Sequence, residues 1–169
     1  LTGLLPRSVW ARLPVSGTFR VATSGIGFLY DGDADDEPAR RLFWKGIEGA
    51  DDGTLPQFQA EVSPARIVVD VGANRGIYTL AALSCSPDVA VTSIEPSPQT
   101  FRQLEAAIAM NGWADRVTTI NAAAGAEVAE MEFHVPDLWC APSARLVAAS
   151  HRSATDGLII DVAVVPLDD

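Results

Sequence analysis

The residues best suited to chemistry lie between Asp70 and Glu95. The segment Val68–Leu80, VVDVGANRGIYTL, sets an acid before a glycine, then an asparagine, an arginine and a second glycine. A glycine-bearing turn between a strand and a helix lets the backbone approach a ligand closely. The helix that follows is expected to begin near Gly76 and to aim its backbone N–H groups into the same crevice. The spacing D-x-G-x-N-x-G departs from the dinucleotide fingerprint G-x-G-x-x-G, because Asn74 and Ile77 stand where that fingerprint needs glycines. Asp70 would also repel phosphates gathered at a helix N-terminus. A ligand with a cationic amino-acid portion, a ribose, an adenine and no phosphate tolerates that acid. S-adenosylmethionine meets this description. Glu95 ends the next apolar run, where an acid can accept hydrogen bonds from both ribose hydroxyls. That role suits an adenosine ligand of either kind. The alternative for Glu95 is service to the helix start beside Ser97, since acids favour a helix N-terminus.

These residues need strands and helices to hold them. IVVDVG is a short β-branched run with little alternation, which predicts a strand buried on both faces, as in a parallel sheet. GIYTLAALSC follows with helical spacing of Ile77, Leu80, Ala81 and Leu83. VAVTSIEP predicts a second strand. SPQTFRQLEAAIAMNG predicts a helix capped by Ser97, with Pro98 in its first turn, Phe101, Leu104 and Ile108 on one face, and Asn111-Gly112 at its end. RVTTIN predicts a third strand. Strand, helix, strand, helix, strand over residues 66–121 argues for an α/β fold with a parallel sheet and right-handed crossovers.

The flanking regions read differently. Residues 1–65 form a lead-in, and 66–169 the α/β core. Residues 1–17 are punctuated by Pro6, Pro14 and Gly17 and predict irregular chain. TFRVA and IGFLYDG predict a hairpin, PARRLFWKGIEG a short helix, and Gly53 to Pro64 a connector with some helical content. Beyond residue 121, EMEFHV and LIIDVAVVPL predict strands, with LWCAPSARLVAASHRSATDG as a loop between them.

Composition narrows the function. The net charge is −10, and the 12 basic residues are scattered rather than clustered, so nucleic acid is discounted as a partner. Asp31, Asp33, Asp35, Asp36 and Glu37 predict a solvated acidic loop. No apolar run reaches the length of a membrane span. Cys85 and Cys140 have no partners at metal-ligand spacing, and they fit buried or half-buried thiols in a reducing, cytoplasmic setting. His134, in the alternating stretch MEFHV, fits a strand face, and no constellation with His151 suggests a metal. Arg75 is expected to be a solvated surface residue, and Tyr78 to pack against the sheet.

Taken together, VVDVGANRGIYT, SIEPSPQTFRQLEAAIAMNG and VTTINAAAG resemble the FkbM-type methyltransferase family, S-adenosylmethionine-dependent enzymes with the Rossmann-like class I fold. The resemblance covers about residues 40–169 and is strongest over about 67–125. The two motif blocks are specific together and weaker apart. VVPLDD resembles the family's Leu-Asp-Asp segment. The resemblance implies that Asp70 and Gly72 lie near the methionine moiety, with Ala73, Asn74 and Gly76 completing that turn. It implies Glu95 at the ribose, Pro96 and Ser97 along the adenosine edge, and Asn121 and Ala122 around adenine. A strand-end asparagine that only satisfies a turn is the alternative for Asn121.

The family continues past its Leu-Asp-Asp segment with a Lys-x-Asp-x-Glu-Gly strand and further elements. The expectation is therefore a fragment: the N-terminal half of a class I methyltransferase sheet, strands 1–3, with added β-hairpin elements and without the C-terminal strands. Such a piece would hold the cofactor half, and any catalytic base would lie elsewhere. The implied acceptor is a hydroxyl on a sugar, glycolipid or secondary metabolite. A nicotinamide-dependent oxidoreductase explains the alternation and Glu95 but fails on glycine spacing. A noncatalytic adenosine-binding module is the third reading.

Overall fold

The computed structural model describes residues 12–136, 145–147 and 157–167. Its layers follow from the local patterns. Strands β1 (Gly17–Val21) and β2 (Phe28–Gly32) form an antiparallel hairpin with Val21 opposite Phe28. Helix α1 (Glu37–Lys45) starts at Asp36, whose side chain accepts from the Ala39 amide at 2.9 Å, and ends at Gly46 with φ 68°. A 3-10 turn (Ala50–Gly53) leads into α2 (Thr54–Val62), so the predicted connector is largely helical.

The central unit is β3 (Ile67–Val71), α3 (Ile77–Cys85), β4 (Ala90–Ile94), α4 (Pro98–Met110) and β5 (Val117–Ile120). Its three strands are parallel, in the order β3-β4-β5, with Asp70 level with Ser93 and Ile94 level with Ile120. This is the expected α/β, Rossmann-like arrangement. Ser97 caps α4, and Leu104, Ala107 and Ile108 form its buried stripe. Asn111 ends α4 and does more than end it. Its Nδ2 donates to the Leu29 carbonyl at 2.9 Å, and its Oδ1 accepts from the Leu29 amide at 2.7 Å. This ties α4 to β2.

Strands β6 (Ala123–Ala124), β7 (Ala129–Pro136), β8 (Arg145–Val147) and β9 (Gly157–Val165) form a second sheet in the order β6-β9-β7-β8. β7 pairs antiparallel with β9, in keeping with the expected β-hairpin elements. β8 corrects the loop expectation: residues within LWCAPSARLVAASHRSATDG pair with Glu132–His134. The rest of that stretch, with Cys140 and His151, lies outside the described residues, as does most of the irregular lead-in. His134 does sit on a strand and is buried.

The main core joins the lead-in to the helices. Val21, Phe28, Tyr30, Leu42 and Leu55 pack with Leu80, Ala81 and Ala107. Each large apolar side chain buried there contributes about 1.5–3 kcal/mol. α2 is bound to α3 through buried Gln59, which donates to the Ala81 carbonyl at 3.2 Å and to the Ser84 hydroxyl at 3.0 Å. Tyr78 packs edge-on against Phe58 of α2, with ring centroids 4.9 Å apart, and donates its hydroxyl to Asp51. Its ring thus packs on α2 as part of the main core. Cys85 is half-buried, as expected, with its thiol 3.2 Å from the Ala81 carbonyl.

The two-faced burial predicted for β3 is not found. Ile67, Val69 and Val71 are 74%, 53% and 51% exposed. Both crossovers have the same hand and step the same way across the sheet, which puts α3 and α4 on one face. The face carrying Val68 and Asp70 is covered by those helices. Among the described residues nothing covers Ile67, Val69 and Val71.

Candidate functional site at the strand ends

The sequence-predicted residues converge where β3, β4 and β5 end. The turn after β3 runs in the left-handed region at Gly72 (φ 75°), Asn74 (φ 51°) and Gly76 (φ 86°). Two of these positions explain their glycines. A Cβ on Gly72 would meet nothing within 4 Å, so its glycine answers to the backbone angle alone. A Cβ on Gly76 would stand 2.7 Å from Leu104 Cδ1, so glycine lets α4 pack against the turn.

The amides of the turn that precedes the helix are taken up by protein acceptors. Gly72 N and Ala73 N both donate to the Ile94 carbonyl, at 2.9 and 3.0 Å. Asn74 N donates to Glu95 Oε2 at 2.9 Å, and Gly76 N to the Ala73 carbonyl at 2.8 Å. Four of the donors that could cradle a phosphate therefore have protein partners. The physical reason is the close lateral fit of parallel strands: the turn folds over the end of β4, and its nearest acceptors are there.

The site offers acceptors instead. Glu95 is only 6% exposed. Its Oε1 accepts from Ser97 N and its Oε2 from Asn74 N, each at 2.9 Å. The helix-start role is thus real, and it leaves room for a second one. Each carboxylate oxygen has two lone-pair sites, so each can accept one further hydrogen bond. Burial pushes the Glu95 carboxyl above the ordinary glutamate range, and the nearby Asp70 charge adds to this; the Ser97 and Asn74 amides pull it back.

Asp70 lies on the helix-facing side of β3. Thr79 Oγ1 donates to Asp70 Oδ2 at 2.7 Å and lies 2.7 Å from Ser93 Oγ. A threonine has one hydroxyl proton. When it goes to ionised Asp70, Ser93 must donate to Thr79. Burial raises the Asp70 carboxyl, and the Thr79 hydroxyl and amide oppose that rise. Thr79 and Ser93 were not singled out by sequence. The available signal is a threonine in the first turn of the helix after the motif.

The remaining residues frame this pair. Pro96 is half-buried and Ser97 is buried. Asn121 donates its Nδ2 to the Glu95 and Pro96 carbonyls, at 2.7 and 3.1 Å, so it does satisfy a turn. Ala73 and Ala122 are buried beside them. Asn74 Oδ1 is buried without a hydrogen-bond partner. The arrangement can hold a ligand that brings donors and positive charge.

Arg75 overturns its surface assignment. Its side chain is 16% exposed and pairs with Asp36, whose side chain is 5% exposed. Nη2 also donates to the Asp31 carbonyl at 2.9 Å and lies 3.4 Å from Asp33. The acidic stretch is therefore not wholly solvated. Asp36 caps α1 and is buried because the cationic arm of the motif turn reaches it. A cleft of about 280 Å³ borders Arg75 between the hairpin and α4, lined also by Tyr30, Gln103 and Met110. None of Asp70, Gly72, Glu95 or Asn121 lines it. Among the described residues, no helix is long and apolar enough to cross a membrane.

No family model matches the chain. Over 61 residues the chain is 41% identical to the Type II methyltransferase M.XamI of Xanthomonas campestris pv. amaranthicola, a segment that is 36% of this chain and 11% of that protein. Its fold is similar over 64% of its length to a SAM-dependent methyltransferase from Agrobacterium tumefaciens, with 14% identity, a TM-score of 0.44 and 33% of that chain covered. It is similar over the same share to P. horikoshii TYW2 in complex with MeSAdo, with 19% identity, a TM-score of 0.41 and 37% of that chain covered. The chain thus spans 11% of the length of the curated relative it matches.

Proposed function

We propose that this chain holds S-adenosylmethionine at the ends of β3, β4 and β5 and contributes that site to a methyltransferase of the FkbM type. One observation carries the reading. The Gly72, Ala73 and Asn74 amides are engaged by Ile94 and Glu95, while the Asp70 and Glu95 carboxylates remain as acceptors. A dinucleotide needs donors for two phosphates and meets two acids instead. S-adenosylmethionine brings an ammonium, a sulfonium and ribose hydroxyls, which are the complement of an acceptor-rich site. The unpartnered Asn74 Oδ1 is a further acceptor of the same kind.

In this reading Asp70, with Gly72, Ala73, Asn74 and Gly76, forms the wall beside the methionine portion. Glu95 takes the ribose hydroxyls, Pro96 and Ser97 line the adenosine edge, and Asn121 and Ala122 neighbour the adenine. When bound, the group supplies a methyl on a sulfonium for an acceptor hydroxyl. This chain's residues bind and orient it, which lowers the entropic part of the barrier. The acceptor class is a hydroxyl on a sugar, glycolipid or secondary metabolite, a choice supported by the FkbM resemblance and by a net charge that disfavours a polyanion. The test is calorimetric titration of the chain with S-adenosylhomocysteine and with NADH. The expected result is binding of the first and not the second. Tighter NADH binding would sink the reading.

A further inference from the structure

The geometry points to Arg75 and Asp36 as a positioning pair that sets the cofactor turn from outside the site, an inference that rests on the reading just given. The turn needs holding. It places a non-glycine residue, Asn74, at φ 51°, a conformation that asparagine tolerates better than other side chains but does not adopt without support. Its inner side is held by the end of β4, through the Ile94 carbonyl and Glu95. Leu104 of α4 packs against the turn at Gly76, and the polar hold on its outer side comes from Arg75, the residue next to Asn74. The guanidinium is engaged on both arms: Nη1 meets the Asp36 carboxylate and Nη2 the Asp31 carbonyl at 2.9 Å, with its carbon 5.8 Å from the centre of the Tyr30 ring.

The receiving end is rigid. Asp36 accepts from the Ala39 amide at 2.9 Å, and Ala39 and Leu42 fix α1 in the main core. Tyr30 is fully buried in the same core. A planar, forked cation against a fixed carboxylate and a fixed carbonyl leaves the turn few alternatives. The hairpin and α1 thus become part of the cofactor site without lining it. Moving them moves the backbone at Asn74, and with it the amide that orients Glu95.

Two variants test this on the whole chain. Arg75→Met keeps the stem and removes the charge. Asp36→Asn removes the charge while keeping an acceptor for the Ala39 amide, so the α1 cap survives. The readouts are amide hydrogen exchange without ligand and S-adenosylhomocysteine affinity. Both variants are expected to speed exchange at Gly72–Gly76 while leaving Val91–Ser93 unchanged. Both are expected to weaken affinity about tenfold, as the binding-competent turn becomes a minor population. The double variant is expected to be no worse than either single one. Unchanged exchange at Gly72–Gly76 overturns the inference. So does exchange that rises equally in β4, which marks a purely global role. Faster turn exchange with unaltered affinity also overturns it. If the wild-type chain binds no S-adenosylhomocysteine, the cofactor reading falls, and the exchange comparison alone decides whether Arg75 holds the turn.

Discussion

The Asn74 amide donates to Glu95 Oε2 at 2.9 Å, joining the turn after β3 to the end of β4 through one buried carboxylate. The same group accepts from Ser97 N, so Glu95 holds the turn, the start of α4 and the proposed ribose subsite together.

Removing that carboxylate has two separable effects. Glu95→Ala is expected to weaken S-adenosylhomocysteine binding by ~1–3 kcal/mol through loss of charge-assisted contacts. It also leaves the Asn74 and Ser97 amides without their acceptor, which costs stability of ~1–3 kcal/mol. Calorimetry on folded protein gives the first quantity and urea unfolding the second. Full affinity in a folded variant would take Glu95 out of the site.

The two glycines should separate by mechanism. Gly72→Ala forces a side chain into the left-handed region at a cost of ~1–2 kcal/mol, without a clash. In the proposed site the added methyl stands beside the methionine portion, so ligand affinity should fall further than stability does. Gly76→Ala carries the same backbone cost and also pushes on Leu104, for ~2–4 kcal/mol in all. Unfolding midpoints should rank Gly76→Ala below Gly72→Ala. The opposite order would mean that the α4 contact is slack.

The pH dependence follows from the raised Glu95 carboxyl. The folded state binds that proton more tightly than the unfolded chain. Ionisation of Glu95 therefore costs folding stability above the folded value, and the cost vanishes below the unfolded one. Ligand binding has the other sign, because ribose hydroxyls donate to the ionised form. S-adenosylhomocysteine affinity should fall as pH drops through a point above the ordinary glutamate range. Glu95→Gln should flatten that profile, and an unchanged profile in this variant would assign the titration to another group.

Asn111 provides a control whose hydrogen bonds go to Leu29 and Ala107 rather than to the strand-end residues. Its side chain pairs with both backbone groups of Leu29 and donates to the Ala107 carbonyl at 2.8 Å. Asn111→Ala should lower stability by ~1–3 kcal/mol, since it strands a strand amide and carbonyl. Affinity for S-adenosylhomocysteine in the folded variant should stay within about twofold, because the side chain shares no hydrogen-bond partner with the turn or with Glu95. A large loss of affinity would show that the α4–β2 tie reaches the crevice.

How far such features can be read from sequence depends on the range of the forces behind them. Glycine spacing, Asp70 and Glu95 are legible because strand ends and turns are short-range. The Ser97 cap with Pro98 is legible for the same reason, being settled within one helical turn. Thr79 is half legible: it stands in the right helix, but its two partners come from two strands.

The sequence by itself determined the alternation of β3, α3, β4, α4 and β5, since periodicity and caps act over a few residues. It also determined which residues stand at the strand ends. Only the tertiary structure decided that β3 is covered on one face, because coverage depends on which side the crossover helices take. Only the tertiary structure decided where the turn amides go and where Arg75 reaches. Its carboxylate partner lies 39 residues earlier, in a stretch whose charges alone predict solvation. Burial of that pair is a property of the packed hairpin and α1. No local pattern encodes it, because the energy of an ion pair depends on the desolvation and geometry that packing imposes.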